Sequence, residues 1–502
     1  LAERSRRTTV VVRCAVAGAA GLAWTLAAPP RGWWVLFPLG VAAFSIALYG
    51  AGVRLRVVLG AVCGLVLHGV GLVWMTDFSV AGYVAVALLE TCLLVAAAAA
   101  MPSARDGRWS GGWWALPAAL VLMEAVQARF PFGGFPLPAL VYSQVDGPFV
   151  GAAPLGGSLL VTGTAAAAGV ALAALVVERG RGRVWVAATA LVVAIVPVAA
   201  GATVTTSQDG QLDVVAVQGG GPRGVRAIFT DSMITTERHL AALEEVRPPV
   251  DLVVLPENVA DTDGLVAESE LSARFAGQAQ RLRAHVVVGV TEGVGDRFRN
   301  VAVLWGPDGE RVDSYTKEHR VPFGEYIPAR GLFELLSDNT RFVPRDAVAG
   351  SGEALLDAAG TELAVAISYE VFFADRVAEG VRAGGEVLLV PTNASSYVTD
   401  QVPSLELAAA RMRAREFGRA VVMSAPTGYS AIVHADGDVV DRSALGERAL
   451  LRETVPLRSG LTPYAHVGDV PVIVLASALI VAPALLRARR RRRMAGEQAR
   501  PA

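Results

Sequence analysis

The chain has 502 residues, 53% of them hydrophobic and only 18% charged, with a mean hydropathy of +0.45. That balance is too apolar for a soluble globular protein of this length, and a net charge of −1 supplies no cationic field for nucleic acid. The three cysteines, Cys14, Cys63 and Cys92, all lie in apolar N-terminal stretches, which excludes an ectodomain built on disulfides.

Because about 20 apolar residues cross the hydrocarbon core, spans are predicted at 9–28, 33–51, 57–76, 80–101, 112–128, 150–177 and 184–203, with an eighth at 469–486. The first carries Arg13 and has the outline of a signal peptide, but no small-residue cleavage site followed by polar chain, so it is read as a retained helix. Arginines mark alternate loops: Arg4, Arg6 and Arg7, then Arg54 and Arg56, then Arg105 and Arg108, then Arg179, Arg181 and Arg183, and finally the cluster from Arg487 to Arg493. The opposite loops hold little beyond Arg31 and Arg129. Since Lys- and Arg-rich loops stay cytoplasmic, three parts are expected. Residues 1–205 form a transmembrane domain of about seven helices, 208–460 a domain outside the membrane, and 466–502 a last helix with a cytoplasmic tail. Glu90 and Glu124, acids within apolar runs, are expected to be paired or to face a polar cavity.

Between 208 and 460, β-rich runs at 211–218, 251–256, 285–291, 299–305, 362–369, 386–391 and 419–424 read as short strands. Helix-period stretches at 231–246, 265–284 and 404–418 alternate with them, predicting an α/β domain around a largely buried sheet. Hairpin turns are expected at GPDGE after Trp305 and around Asp436-Gly437. There is no phosphate-binding glycine loop and no metal-ligand pattern, and the six histidines are scattered, so no cofactor is expected.

Three predicted strand ends hold polar groups that an ordinary core does not select: Glu257 after Leu255-Pro256, Lys317 after Tyr315, and Ser368 after the run from Leu363 to Ile367. A carboxylate, an amine and a hydroxyl so placed suit a base, an electrostatic stabiliser and a nucleophile. Spacing alone fits equally a solvated loop acid, a surface lysine and a small core serine.

The surrounding words are more specific: LPEN at 255–258, YTKEHRVPFGEYIP at 315–328, ISYEVFF at 367–373 and PTNASSY at 391–397, with YSQVDGP at 142–148, MRAREFGR at 412–419, APTGYSA at 425–431 and GLTPYA at 460–465. Together they resemble the apolipoprotein N-acyltransferase family, the membrane-bound branch of the nitrilase superfamily, over nearly the whole chain. The resemblance implies a polytopic helical membrane domain with an inserted α/β nitrilase-like domain, an α-β-β-α sandwich, on the extracytoplasmic side of a bacterial inner membrane. It implies acyl transfer from a phospholipid, through an acyl-enzyme, to the α-amine of a diacylated lipoprotein. The family's Glu-Lys-Cys triad falls on Glu257, Lys317 and Ser368, with serine in the cysteine position, and supporting roles fall on Glu325, Tyr369 and Glu370. In that scheme Glu257 takes the nucleophile's proton, while Lys317 and the Tyr369 N–H stabilise the oxyanion. Two other readings stay open: a membrane-tethered amidase that uses water in place of the amine, and a catalytically silent homologue that binds lipid or a protein partner.

Overall fold

The computed structural model describes residues 2–102, 112–178, 180–224, 231–336 and 338–482. Among the described residues, seven α-helices occupy the N-terminal part: α1 (Ala2–Ala27), α2 (Leu36–Leu48), α3 (Val53–Gly71), α4 (Val80–Ala100), α5 (Gly112–Gln127), α6 (Ala153–Val177) and α7 (Arg181–Gly201). Among the described residues, five stretches are long and apolar enough to cross a membrane, those of α1, α3, α4, α6 and α7. Their outward faces carry exposed apolar side chains, such as Val176, Trp185, Val192 and Val196. A contiguous apolar exterior of this kind suits lipid as its solvent. Small residues let the backbones approach: a Cβ on Gly21 of α1 would stand 2.4 Å from the Cys63 carbonyl of α3.

The expected span at 33–51 contains a shorter helix than predicted, α2 with 13 residues, whereas α5 fills the expected span at 112–128. The expected span at 57–76 begins earlier, at Val53, so Arg54 and Arg56 lie in the first turn of α3 rather than in a loop, with Arg56 buried. Arg105, Arg108, Arg179 and the cluster from Arg487 to Arg493 fall outside the described residues, as do the side chains of Arg4, Arg6 and Arg7. The two intramembrane acids are partnered: Glu90 accepts from Gln127 at 2.7 Å, and Glu124 accepts from the Val141 N–H at 2.9 Å and from the Thr162 hydroxyl.

The second part is built from β1 (Ser207–Gln218), α8 (Ser232–Leu243), β2 (Leu252–Val254), β3 (Ala260–Thr262), α9 (Glu270–Leu282), β4 (His285–Val294), β5 (Arg297–Trp305), β6 (Arg311–Thr316), α10 (Arg330–Leu336), β7 (Leu355–Asp357), β8 (Glu362–Val365), α11 (Ala374–Arg382), β9 (Val387–Pro391), α12 (Gln401–Phe417), β10 (Val421–Ser424), β11 (Ala431–Val433), β12 (Val439–Arg442) and β13 (Ala449–Ser459). The strand pattern read by itself suggests one sheet; there are two, as in the α-β-β-α sandwich that the resemblance implies. One runs β13-β1-β2-β4-β5-β6 with β3 paired to β4, and the other runs β12-β11-β10-β9-β8-β7. The alternation of apolar residues along the strands explains the doubling. Val214 and Ala216 of β1 face Leu363 and Val365 of β8 across a common core, while Val215 and Val217 point the other way, toward Leu240 of α8 and Phe275 of α9. The outer face of the second sheet is covered by α11 and α12. The layers are therefore α-β-β-α.

A short helix, α13 (Pro463–Val467), leads to α14, described from Val470 to Ala482. The two parts are joined along α12. Its Glu416 carboxylate accepts from the backbone N–H and hydroxyl of Ser158 in α6, at 2.6 and 2.7 Å, and Arg413 donates to the same hydroxyl at 2.7 Å. The helical geometry of α6 breaks at Gly156 and Gly157. Gly157 has φ +65°, and a Cβ there would overlap the Tyr464 ring at 2.3 Å, so only glycine admits this ring.

Candidate active site

The first sheet supplies a buried charge cluster at the C-terminal end of β2 and β6. Glu257 lies three residues beyond β2, and Lys317 directly follows β6, its backbone N–H donating to the Asn300 carbonyl of β5 at 2.9 Å. The Lys317 ammonium is 1% exposed and donates to Glu257 Oε1 at 2.8 Å and to Glu325 Oε1 at 2.9 Å. Asn300 Nδ2 donates to the same two oxygens, at 2.5 and 3.0 Å, so one ammonium and one amide bridge two carboxylates. The second oxygen of Glu325 accepts from the Val321 N–H at 2.7 Å.

Burial alone favours a neutral lysine, but the charges of Glu257 and Glu325 more than offset it and hold the ammonium above its ordinary value. Burial pushes Glu257 upward, Lys317 opposes this, and the like charge of Glu325 adds to it, leaving Glu257 above the usual carboxylate range. The cluster is a fixed positive charge with a carboxylate ready to exchange protons.

The second sheet supplies the hydroxyl. The predicted strand at 362–369 stops at Val365, and residues 368–372 form a turn of 3-10 helix. Ser368 stands at the corner with φ +51°, a left-handed conformation that a non-glycine residue rarely adopts and that costs about 1–3 kcal/mol. Glu370 holds the corner. Its buried carboxylate accepts from the Ile367 N–H at 2.8 Å on one side, and from the Glu318 and His319 N–H groups at 2.8 and 3.0 Å on the other. The Tyr315 hydroxyl donates to it as well, at 2.7 Å. Glu370 therefore ties the serine turn to the loop that carries Lys317. Tyr369 turns away: its hydroxyl donates to the Gly134 carbonyl of the 130–137 loop at 2.9 Å, and its ring packs edge-on against Phe373.

Of the six residues singled out in the sequence, Glu257, Lys317 and Glu325 meet in one cluster, and Glu370 joins that cluster's loop to the turn of Ser368. The Ser368 hydroxyl donates to Glu406 Oε1 of α12, at 3.4 Å, a carboxylate that the sequence reading did not select. Thr392, just past β9, donates to the same oxygen at 2.9 Å. Burial raises Glu406 to about 7, with Glu257 adding to the rise and Lys317 opposing it, so the two carboxylates and the lysine share one electrostatic environment. Asn300 was missed too. Both left a trace, an amide inside the apolar strand run at 299–305 and an acid on the side of α12 that also carries Val402, Leu405 and Ala409.

Aromatic and aliphatic side chains flank the loop that carries Lys317 and Glu325. Phe323 packs edge-on against both Phe132 and Phe333, and Phe132, Leu332 and Leu335 remain exposed, the last at 84%. The runs at 130–137 and 331–336 thus pack against one another and also present apolar surface outward.

Comparison with known proteins agrees in both halves of the chain. Residues 20–171 match the apolipoprotein N-acyltransferase N-terminal domain, and residues 215–459 match the carbon-nitrogen hydrolase family. The apolipoprotein N-acyltransferase of Methylococcus capsulatus is 30% identical over 501 residues, covering 96% of this chain and 97% of that protein. That of Mycolicibacterium smegmatis is 30% identical over 383 residues, and the match spans 69% of this chain and 63% of that longer protein. Among solved structures, Saccharomyces cerevisiae Nit3, a member of branch 10 of the nitrilase superfamily, aligns with 91% of its chain and 50% of this one, at 19% identity and a TM-score of 0.39. A likeness that runs at 30% identity through the membrane helices and the sandwich alike settles the family: the chain belongs to the apolipoprotein N-acyltransferases.

Proposed function

We propose that this acyltransferase moves a fatty acyl chain from a phospholipid to Ser368, and from Ser368 to the α-amine of the diacylglyceryl-cysteine of a bacterial lipoprotein. The observation that carries the reading is the fully buried Lys317 ammonium, bridged by Glu257 and Glu325 and tied through Glu370 to the strained turn of Ser368. A core selected only for stability has little use for such a group, since replacing buried ion pairs by apolar residues is often neutral or favourable.

In the first half-reaction the Ser368 oxygen attacks the ester carbonyl carbon of the phospholipid. The Lys317 charge and the Tyr369 N–H, which lies in the first turn of the 3-10 helix and so has no intrahelical acceptor, stabilise the oxyanion. The hydroxyl's proton passes to a carboxylate of the centre as the bond to Ser368 forms; the carbon–oxygen bond to the glycerol then breaks, and the departing oxygen takes a proton from Glu257, leaving an ester on Ser368. In the second half the amine attacks that ester, Glu257 accepts the amine's proton, and the carboxylate that holds the hydroxyl's proton returns it to the serine oxygen as the ester bond breaks. Glu325 shares the lysine and keeps it in place, and Glu370 fixes the nucleophile turn. The exposed apolar side chains beside the lysine loop fit two substrates that arrive from a bilayer.

The same reading divides the chain into a transmembrane domain at 1–205, a catalytic domain at 208–460 and a last helix with its tail at 466–502, and sets the catalytic domain on the extracytoplasmic side of the cytoplasmic membrane. The arginine distribution supports that orientation. Incubation of the purified protein with phospholipid and a diacylated lipopeptide tests the function: triacylated peptide is expected. Free fatty acid alone would assign an amidase-like hydrolase, and neither product would assign a silent homologue.

A further inference from the structure

We propose that Glu406 is a further catalytic residue, the proton acceptor of the Ser368 hydroxyl, carried on α12 and not on the sheet that bears the Glu257–Lys317 pair. The inference rests on Ser368 being the nucleophile, as proposed above.

Three observations carry it. The hydroxyl's hydrogen bond runs to Glu406 Oε1, and among the described residues Ser368 Oγ makes no hydrogen bond to Glu257 or Lys317. The carboxylate is 4% exposed, and its second oxygen, Oε2, is buried without any hydrogen-bond partner, an acceptor left vacant beside a hydroxyl that must lose a proton. Thr392 occupies Oε1 at 2.9 Å and fixes the carboxylate's orientation, whereas Glu257 has both the ammonium and the Asn300 amide on its Oε1. Burial also holds Glu406 near neutrality, at about 7, where a carboxylate is a stronger base than in water. A hydroxyl needs such help more than a thiol, which ionises unaided near 8.5.

The step balances without any co-reactant. As the Ser368 oxygen bonds to the carbonyl carbon, its proton passes to Glu406, and the departing glycerol oxygen takes its proton from Glu257. In the second half-reaction the amine's proton goes to Glu257, and the proton on Glu406 returns to the serine oxygen as the ester bond breaks. Both carboxylates end as they began.

The test is single-turnover acylation of the full-length protein in phospholipid-containing micelles, followed by intact-protein mass spectrometry, in four variants beside the parent. Glu406→Gln is expected to slow ester formation about a hundredfold, within the usual range for loss of a general base. Glu406→Asp is expected to recover part of that loss. In a Ser368→Cys background, where the thiol supplies its own ionisation, adding Glu406→Gln is expected to cost less than about threefold. An equal loss in the serine and cysteine backgrounds would make Glu406 a packing residue and overturn the proposal, as would undiminished acylation in Glu406→Gln. Ser368→Ala is the separate control. An adduct that persists in it, or a parent that forms none, overturns the assignment of the nucleophile and the proposal with it.

Discussion

Glu257 and Glu406 approach the centre from opposite layers of the sandwich, one from the end of β2 in the first sheet and one from α12 on the outside of the second, and their surroundings differ in kind. Around Glu257 the donors are an ammonium and a strand-borne amide, and a second carboxylate accepts from both. Around Glu406 there are two hydroxyls on one oxygen and nothing on the other. A carboxylate bound by an ammonium keeps its geometry while charge develops nearby, whereas one held only by hydroxyls can accept a proton with little rearrangement. In the proposed reaction the first sheet stabilises charge and serves the leaving group and the amine, while α12 takes the hydroxyl's proton.

That contrast can be broken at four points. The largest effect is expected from Lys317→Ala. With the shared cation gone, Glu257 and Glu325 repel and no charge faces the oxyanion, so acyl-enzyme is expected to fall at least a thousandfold, of the order seen when stabilising donors are lost. The protein should still elute as a folded, micelle-bound species, and unchanged turnover would remove Lys317 from the mechanism. Asn300→Ala is next. It deletes one hydrogen bond to each carboxylate, and a bond to a charged group is worth about 1.5–3 kcal/mol, so a loss of about tenfold to a hundredfold in acylation is expected.

The pH dependence sharpens the comparison on the other layer. Glu406 gains its base form only as pH rises through about 7, so parent acylation should climb about tenfold from pH 6 toward pH 8, and Glu406→Gln should flatten that limb. Stability carries the opposite sign. A carboxylate raised from 4.5 to about 7 binds its proton more tightly when folded, so its contribution falls as pH rises through that window. Glu406→Gln is therefore expected to melt at progressively higher temperature than the parent between pH 5 and pH 7, by calorimetry; a constant difference would show that the carboxylate is not held protonated by burial. The smallest effect is expected from Ser368→Cys, which should acylate as fast as the parent or up to tenfold faster. A tenfold loss would mean that the pocket has been rebuilt around oxygen.

Much of the fold was legible because its signals are local. Runs of apolar residues placed a helix within each expected membrane span, and shorter β-rich apolar runs placed β1, β2, β4, β5, β9 and β10 near their observed bounds. The strand β13 was missed because its charged residues, Arg452, Glu453 and Arg458, interrupt the apolar alternation, although pairing with β1 fixes it as an edge of the first sheet. The span beginning at 57 was placed late because Arg54 and Arg56 were read as loop, when α3 buries Arg56 in its first turn. At the site, Glu257, Lys317 and Ser368 stood out through the motifs around them. Glu370 was noticed as a neighbour of the nucleophile, but its task of joining two loops through four hydrogen-bonding groups was not visible, because Tyr315, Glu318 and His319 lie some fifty residues away in sequence. The MRAREFGR run proved to be the seam: Arg413 and Glu416 meet Ser158 of α6, while Arg419 holds the Gly385 and Gly460 carbonyls.

The linear chain by itself determined the partition between lipid and water and the family to which the protein belongs, since apolar content, strand period and motif order are properties of neighbouring residues. Only the tertiary structure decided which acid the serine meets. Ser368 and Glu406 lie 38 positions apart and on different elements, and a strained backbone turn, a covering helix and the loss of water around one carboxylate are needed to make them partners. Burial and long-range geometry change what a glutamate can do, and neither is written in the residue's name.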